Sequence, residues 1–293
     1  MKLIPGDIKT ALLHAYLLGS VGPRPICFAS TMDENGVPNL SPFSFFNVFG
    51  SKPPILVFSP ARRVRDNTTK HTLQNVQATK EVVINIVNYN IVQQMNLASC
   101  EYPKGVNEFE KAGFTMEKSD IVKPFRVKES PVQLECKVNQ VIETGSEGGA
   151  GNLVICEVLC MHINDEVLDA DGKIDPHKID LVARMGGDYY CRASGSAVFE
   201  VQKPNLNLGV GIDALPDRIR RSEVLTGNNL GILGNSTFIP VVSEMLYDDR
   251  LTQIVRDYEQ DEKAKQNALH VYAKELLEAG DTDKAWQVLL AGE

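Results

Sequence analysis

At 293 residues, with 43% hydrophobic and 23% charged residues, the chain has the composition of an ordinary globular protein, long enough for a large domain and an appendage and unlike a disordered or fibrous sequence. A formal net charge of -8 argues against a general nucleic-acid partner, because binding to phosphate backbones rests on Lys and Arg. The start, MKLIPGDIKTALLHAYLLGS, is interrupted by Lys2, Pro5, Asp7 and Lys9 and falls short of the roughly 18 apolar residues of a membrane span; neither a signal peptide nor a membrane partner is expected, and the expected location is the cytoplasm.

Residues 7–18 carry Ile8, Ala11, Leu12, Ala15 and Leu18 at helical spacing, which predicts a short amphipathic helix before the breakers Gly19, Gly22 and Pro23. Residues 26–31 are apolar and β-prone, and Asp33-Glu34-Asn35-Gly36 is a turn signal leading into 37–40 as the second arm of a hairpin. Residues 43–49 and 55–58 are two more strand candidates around the adjacent prolines Pro53 and Pro54. A helical pattern over 68–78, with Leu73, Val76 and Gln77 near one side, precedes a buried strand at 81–87 and a short helix over about 91–98. The polar stretch 99–131 reads as an excursion over the surface, with GVNEFEKAGF a short helix closed by Gly113.

Two long β-prone runs, 132–143 and 153–163, flank the glycine-rich link 145–151 as in a long hairpin. Six or more strands with few helices between them favour a closed antiparallel sheet over a doubly wound one. Residues 195–240 are rich in Gly, Asn and Pro. From 241 to 291 the pattern is helical, with Val242, Met245, Leu246, Leu251, Ile254 and Val255 followed by Leu269, Tyr272, Leu276 and Leu277. The last part resembles a helix hairpin that buries little alone and is expected to pack on the barrel or on a second subunit. The division is therefore 1–200 for the barrel and 201–293 for an irregular linker and helical extension.

The six cysteines, Cys27, Cys100, Cys136, Cys156, Cys160 and Cys191, include no CxxC pair, so buried reduced thiols are expected rather than a disulfide framework or a metal or redox pair. Cys156 and Cys160 fall in the strand LVICEVLCMHI, where even spacing places both on one face. No clustered metal ligands are legible, and no metal site is expected.

A dianionic phosphate calls for converging donors, a cation and hydroxyls. SPARRVRDNTTKHTLQN provides all three between a strand end and a helix start, with Ser59 at the first and Lys70 and Thr72 at the second. By itself such a basic loop is more often solvated surface. It follows FSFFN, whose Phe43, Phe45 and Phe46 serve as barrel core or, with Ser44 and Asn47, flank a ring system.

The run GPRPICFASTMDENGVPNLSPFSFFNVFGSKPPILVFSP, followed by KHTLQNVQATKEVVINIV, resembles the flavin reductase-like, FMN-binding split-barrel family. The matching motifs are Gly22 to Pro25, Ser30-Thr31, Pro42 to Asn47, Pro53-Pro54 and Lys70-His71-Thr72, with His71 standing where the family usually has Asp. The resemblance continues through VKESPVQLECKVNQVIE, HIND and ARMGGDYYCR, covering roughly 20–195, and 206–240 is similar to an extension in some members. It implies a mainly β, Greek-key-like antiparallel split barrel with peripheral helices and a C-terminal helical extension. By the same resemblance Ser44, Ser59, Arg62, Lys70 and Thr72 meet the FMN phosphate and ribityl chain. The ring lies along Ser30, Thr31, Phe45, Phe46 and Asn47, and Arg184, Gly186 and Tyr189 complete the site from either subunit of a homodimer.

The expected function is an FMN-dependent oxidoreductase that takes electrons from NADH, NADPH or a protein donor and passes them to an acceptor. The alternative is a flavin-binding carrier, sensor or electron relay without turnover, and a third reading makes the helical tail a recruiter of a partner. No Rossmann fingerprint is present, so a nicotinamide would stack directly on the flavin. No side chain is named as catalytic, because electron and hydride transfer belong to the flavin.

Overall fold

In the computed structural model, which describes residues 1–201, 208–241 and 248–291, the chain divides into two units, Met1–Phe199 and Glu200–Glu293. The first unit opens with helix α1 (Thr10–Ser20) and the short strand β1 (Arg24–Pro25). The hairpin expected at Asp33 joins β2 (Cys27–Met32) to β3 (Pro38–Phe43). Asp33 Oδ1 accepts the backbone N–H groups of Asn35 and Val37 at 2.9 Å each, and Gly36 takes a φ of +85° that a side chain would resist. The chain continues through β4 (Phe46–Ser51), β5 (Pro54–Phe58), α2 (His71–Thr79), β6 (Glu81–Ile86), α3 (Val92–Ala98) and α4 (Glu108–Ala112). The short strands β7 (Met116–Glu117) and β8 (Arg126–Val127) follow, then the long hairpin β9 (Val132–Glu143) and β10 (Asn152–Ile163), and finally β11 (Val182–Arg184) and β12 (Tyr190–Arg192).

Seven strands form one antiparallel sheet in the order β3-β2-β6-β9-β10-β5-β4, and β1, β11 and β12 form a second, smaller one. The two edge strands of the large sheet, β3 and β4, are consecutive in the chain, with only Ser44 and Phe45 between them. Strands lie about 4.8 Å apart, so a flat sheet of seven would hold its edges roughly 29 Å from one another. Two linking residues at about 3.5 Å each do not span that distance, and the sheet has to roll up. The Ser59 N–H donates to the Phe45 carbonyl at 2.8 Å beside this link. The result is an antiparallel split barrel. The expectation of a fully closed sheet is corrected, since no ladder joins β3 to β4.

The barrel is filled by alternate residues of its strands, including Phe43, Phe58, Ile84, Leu134, Val154 and Cys156, with Leu73 and Val76 of α2 packed among them. Gln77, expected on the same helix side, is exposed. A second cluster sets Phe28 and Leu40 against Met95, Phe109 and Phe114, with the Phe28 and Phe114 rings edge-on at 5.2 Å. The stretch 99–131 is therefore no surface excursion: Phe109, Phe114, Val122 and Val127 are buried. Its helix α4 is capped by Asn107 and closed by Gly113 at φ +69°.

Two further sequence expectations change. Helix α1 forms, but none of its residues is buried, and Leu12, Tyr16 and Leu17 are exposed. Cys156 and Cys160 face opposite sides of the sheet, because the register of β10 slips between Val158 and Cys160. Before the slip Cys156 pairs with Val138 of the barrel core; after it Cys160 pairs with Glu135, which points the other way. No cysteine among the described residues is in a disulfide; Cys27, Cys136 and Cys156 are buried, Cys160 and Cys191 half-buried, and Cys100 exposed.

The second unit contains α5 (Asp217–Arg220), α6 (Gly227–Gly234), α7 (Asp249–Asp257), α8 (Glu262–Glu278) and α9 (Thr282–Leu290). Asp248, Asp261 and Asp281 cap α7, α8 and α9 by accepting N–H groups of their first turns. The helix hairpin α8–α9 does not stand alone: Trp286, Leu269 and Leu277 share a core with Ile219, Leu233 and Leu251 of the preceding helices. Val242, Met245 and Leu246, named from the sequence, lie outside the described residues. No helix among the described residues is long and apolar enough to cross a membrane.

Candidate functional site

Lys70 stands immediately before α2, and its carbonyl accepts the Leu73 N–H of the first turn at 3.0 Å. Its side chain lies over the Phe43 ring, 5.3 Å from the centroid, and its ammonium reaches Ser41 Oγ at 3.4 Å. Among the described residues it makes no ion pair. Burial, and secondarily the charge of Arg63, lowers its pKa from the ordinary lysine value. A half-buried cation without a carboxylate in contact is a standing attraction for an anion.

Thr72 follows on the first turn of α2, fully buried, and its hydroxyl donates to Asn39 Oδ1 at 2.9 Å. Thr31 at the end of β2 donates to the same oxygen at 3.4 Å and accepts from Asn75 Nδ2 at 3.0 Å. Asn39 in turn donates to Glu108 at 2.9 Å, and the Glu108 carboxylate also accepts the Leu40 N–H at 3.0 Å. Ser30, beside Thr31, is fully buried, and its hydroxyl has no hydrogen-bond partner among the described residues.

Burial raises the Glu108 pKa against the pull of these hydrogen bonds and of His71. The Glu108 charge acts on both His71 and Lys70.

Around the split, Ser44 is half-buried in the link itself, and Phe45 is 39% exposed with its ring edge-on to His14 at 6.3 Å. Phe46 packs against the barrel core, while Asn47 is exposed and its Oδ1 accepts the Val48 N–H. Ser59 is buried, and its Oγ accepts the Asn152 N–H at 3.1 Å, leaving the hydroxyl proton to give. Arg62 is turned back on its own loop, with Nε 2.6 Å from Asn67 Oδ1 and a second nitrogen 3.0 Å from the Asn67 carbonyl.

The remaining three candidates fall on the smaller sheet and its loop. Arg184 donates to the Tyr190 hydroxyl at 2.9 Å and to the Gly187 carbonyl at 3.0 Å. It lines a cavity of about 430 Å³ with Tyr89, Gln93, Asn96, Tyr190 and Arg192, and none of the candidates on β2 to α2 shares that lining. Gly186 is a packing position: a Cβ there would lie 3.1 Å from the Gly19 Cα at the end of α1. Tyr189 is 78% exposed. The fold thus brings Thr31 and Thr72 into one polar cluster beside Lys70, leaves Ser30 on the opposite face of β2, sets Ser44, Phe45, Phe46 and Ser59 at the split, and leaves Arg184, Gly186 and Tyr189 apart within the single chain. Ser41, Asn39, Asn75 and Glu108 belong to the cluster without having been named from the sequence. Only strand pairing and the packing of α4 bring them there.

Comparison with known proteins covers the same part of the chain. Residues 19–178 match the model of the flavin reductase like domain. An uncharacterized protein of Aquifex aeolicus is 39% identical over 201 residues, 69% of this chain and 100% of its own. Among solved structures, the nitrilotriacetate monooxygenase component B from Bacillus cereus superposes with a TM-score of 0.63 at 26% identity, over 69% of this chain and 98% of its own. A Shewanella frigidimarina protein with a split barrel domain superposes with a TM-score of 0.58 at 28% identity, over 68% and 95%.

Proposed function

The chain belongs to the flavin reductase-like family of flavin-binding oxidoreductases, and we propose that it holds FMN at the split of its barrel and passes electrons through it from NADH, NADPH or a protein donor to an acceptor. The observation that carries this reading is Lys70: a half-buried ammonium whose one hydrogen-bond partner among the described residues is the Ser41 hydroxyl, at the start of a helix and beside Thr72. On this reading Ser44, Ser59, Arg62, Lys70 and Thr72 hold the phosphate and ribityl chain. Ser30, Thr31, Phe45, Phe46 and Asn47 accompany the ring, and Arg184, Gly186 and Tyr189 are added from either subunit of a homodimer.

The residues present fit such a group. The free proton of Ser59 offers a hydrogen-bond donor, and Lys70 supplies the cation. The flavin, when bound, supplies the electron and hydride chemistry. The chain's own residues bind and orient it, and the Phe43 ring under Lys70 keeps water from one side of the ammonium. The homodimer is supported by α1, an 11-residue helix without a single buried side chain. Helices of that length are marginal in water and gain their stability by packing.

Visible absorbance of the purified protein, reconstituted with FMN or FAD and then treated anaerobically with NADH or NADPH, tests the reading. FMN bound near one per chain and bleached by the nicotinamide is the expected result. Flavin that binds and stays oxidised would point to a relay or sensor fed by a protein donor, and failure to bind flavin would sink the proposal.

A further inference from the structure

Beyond the register slip in β10, Cys160 and His162 lie on the face of the sheet that turns away from the barrel core, opposite Glu135 and Gln133 of β9. Glu135 Oε1 lies 2.7 Å from His162 Nε2, and Cys160 Sγ lies 3.6 Å from the same nitrogen. All three ligand atoms fall within 4.8 Å of one another. Asp120 Oδ2 approaches the same Nε2 at 3.9 Å from a side chain that is 69% exposed.

A thiol–imidazole–carboxylate relay uses the two ring nitrogens for its two neighbours. Here thiol and carboxylates converge on one nitrogen, which is the arrangement of ligands around a common point. The Glu135 carboxylate is fully buried and is fixed from behind by three consecutive backbone N–H groups, those of Asp120, Ile121 and Val122, at 2.9, 2.7 and 3.0 Å. Outer donors of this kind orient the ligands of metal sites.

We propose that Glu135, Cys160 and His162 form a binding site for a divalent cation of the zinc class, with Asp120 or water as the fourth ligand on the solvent side. Mixed sulfur, nitrogen and oxygen donors suit that ion and a tetrahedral arrangement. Ligand atoms around it are about 3.5 Å apart. The separation of Cys160 from His162 already matches. The closer pair, Glu135 and His162, opens once the proton between them has moved to Nδ1. The balance is simple: the thiol proton leaves to solvent, and the imidazole binds as the neutral ring through Nε2 with its proton on Nδ1. The bound ion ties the loop at 120–122 to the open end of the β9–β10 hairpin, independently of whether flavin binds.

Cobalt(II) alone is the probe. The purified full-length protein is stripped with a chelator, checked for its fold by circular dichroism, and titrated with Co²⁺. The expected result is a thiolate-to-cobalt charge-transfer band with tetrahedral d–d absorption, saturating at one ion per chain. Cys160→Ser should remove the charge-transfer band, His162→Gln should weaken binding at least tenfold, and Cys100→Ser should change neither. A stripped, folded protein without the band would overturn the proposal, as would a band that survives Cys160→Ser. Should Cys160→Ser fail to fold, undiminished affinity in His162→Gln would be equally decisive. In any of those outcomes the contact between His162 and Glu135 is a hydrogen bond and nothing more.

Discussion

Asn39 Oδ1 accepts the Thr72 hydroxyl at 2.9 Å, which ties the start of the edge strand β3 to the first turn of α2. The same side chain donates to the buried Glu108 at 2.9 Å, so one amide links three elements around the polar cluster. Asn39→Ala leaves a buried hydroxyl and a buried carboxylate each short of a partner, and is expected to cost about 2–3 kcal/mol. Thr72→Val, close in shape, removes a single hydrogen bond and is expected to cost about 1 kcal/mol. Urea midpoints of the two variants check the order. Equal shifts would mean that Asn39 does not connect the cluster.

Lys70 makes the opposite kind of contribution. Its lowered pKa means that the folded chain disfavours its charge, and no carboxylate in contact offsets this. Lys70→Met should therefore leave the urea midpoint unchanged or raised. A charge-assisted contact to phosphate is worth about 1.5–3 kcal/mol, so FMN affinity should fall about tenfold to a hundredfold, read by quenching of flavin fluorescence. A variant that binds FMN as tightly as the native chain would remove Lys70 from the phosphate site.

Local chemistry made part of this legible. The turn at Asp33, the short helix closed by Gly113, and the β-prone run of β9 are local signals, and each formed where the sequence placed it. What was hidden depends on residues far apart in the chain. Strand order alone shows that β3 and β4 are the two edges of a sheet that has to roll up around Ser44 and Phe45. Glu108 looks like a surface residue of a polar stretch until α4 packs Phe109 inward and carries it to Asn39. The register slip before Cys160 has no sequence signature at all, and it reverses the side to which Cys160 and His162 point.

Helix α1 supplies a test of assembly. Leu12, Tyr16 and Leu17 are 48%, 41% and 51% exposed on a helix with no fully buried residue. If a second copy covers them, Leu12→Asp with Leu17→Asp places two charges in an apolar contact and should shift the protein from dimer to monomer in light scattering after size exclusion. Retention of the native mass, dimeric or monomeric, would exclude α1 from any interface between copies.

The second unit carries its own pH dependence in His270, a buried residue of α8. Its Nδ1 lies 2.7 Å from Ser222 Oγ, and that oxygen already accepts the N–H groups of Val224 and Leu225 at 3.1 and 3.0 Å. The Ser222 proton therefore points at the imidazole, which has to accept it as the neutral ring. Burial, and secondarily the charge of Arg218, lowers the His270 pKa; Glu262 and Gln266 line the small hollow beside it. The unfolded chain then binds the proton more readily than the folded one. Stability is complete above the ordinary imidazole value of about 6.5 and is lost as the pH falls below it toward the folded value. Asp248, held down at about 2 although burial opposes it, by Lys284, Tyr272 and the Leu251 N–H, does not titrate in this window. Trp286, the single tryptophan of the chain, is buried in the same core and reports its unfolding. Urea midpoints from Trp286 fluorescence should fall as the pH is lowered below about 6.5 in the native chain. They should stay level in His270→Gln, whose amide oxygen accepts from Ser222 without titrating. Equal slopes in the two proteins would assign the acid sensitivity of this unit to other groups.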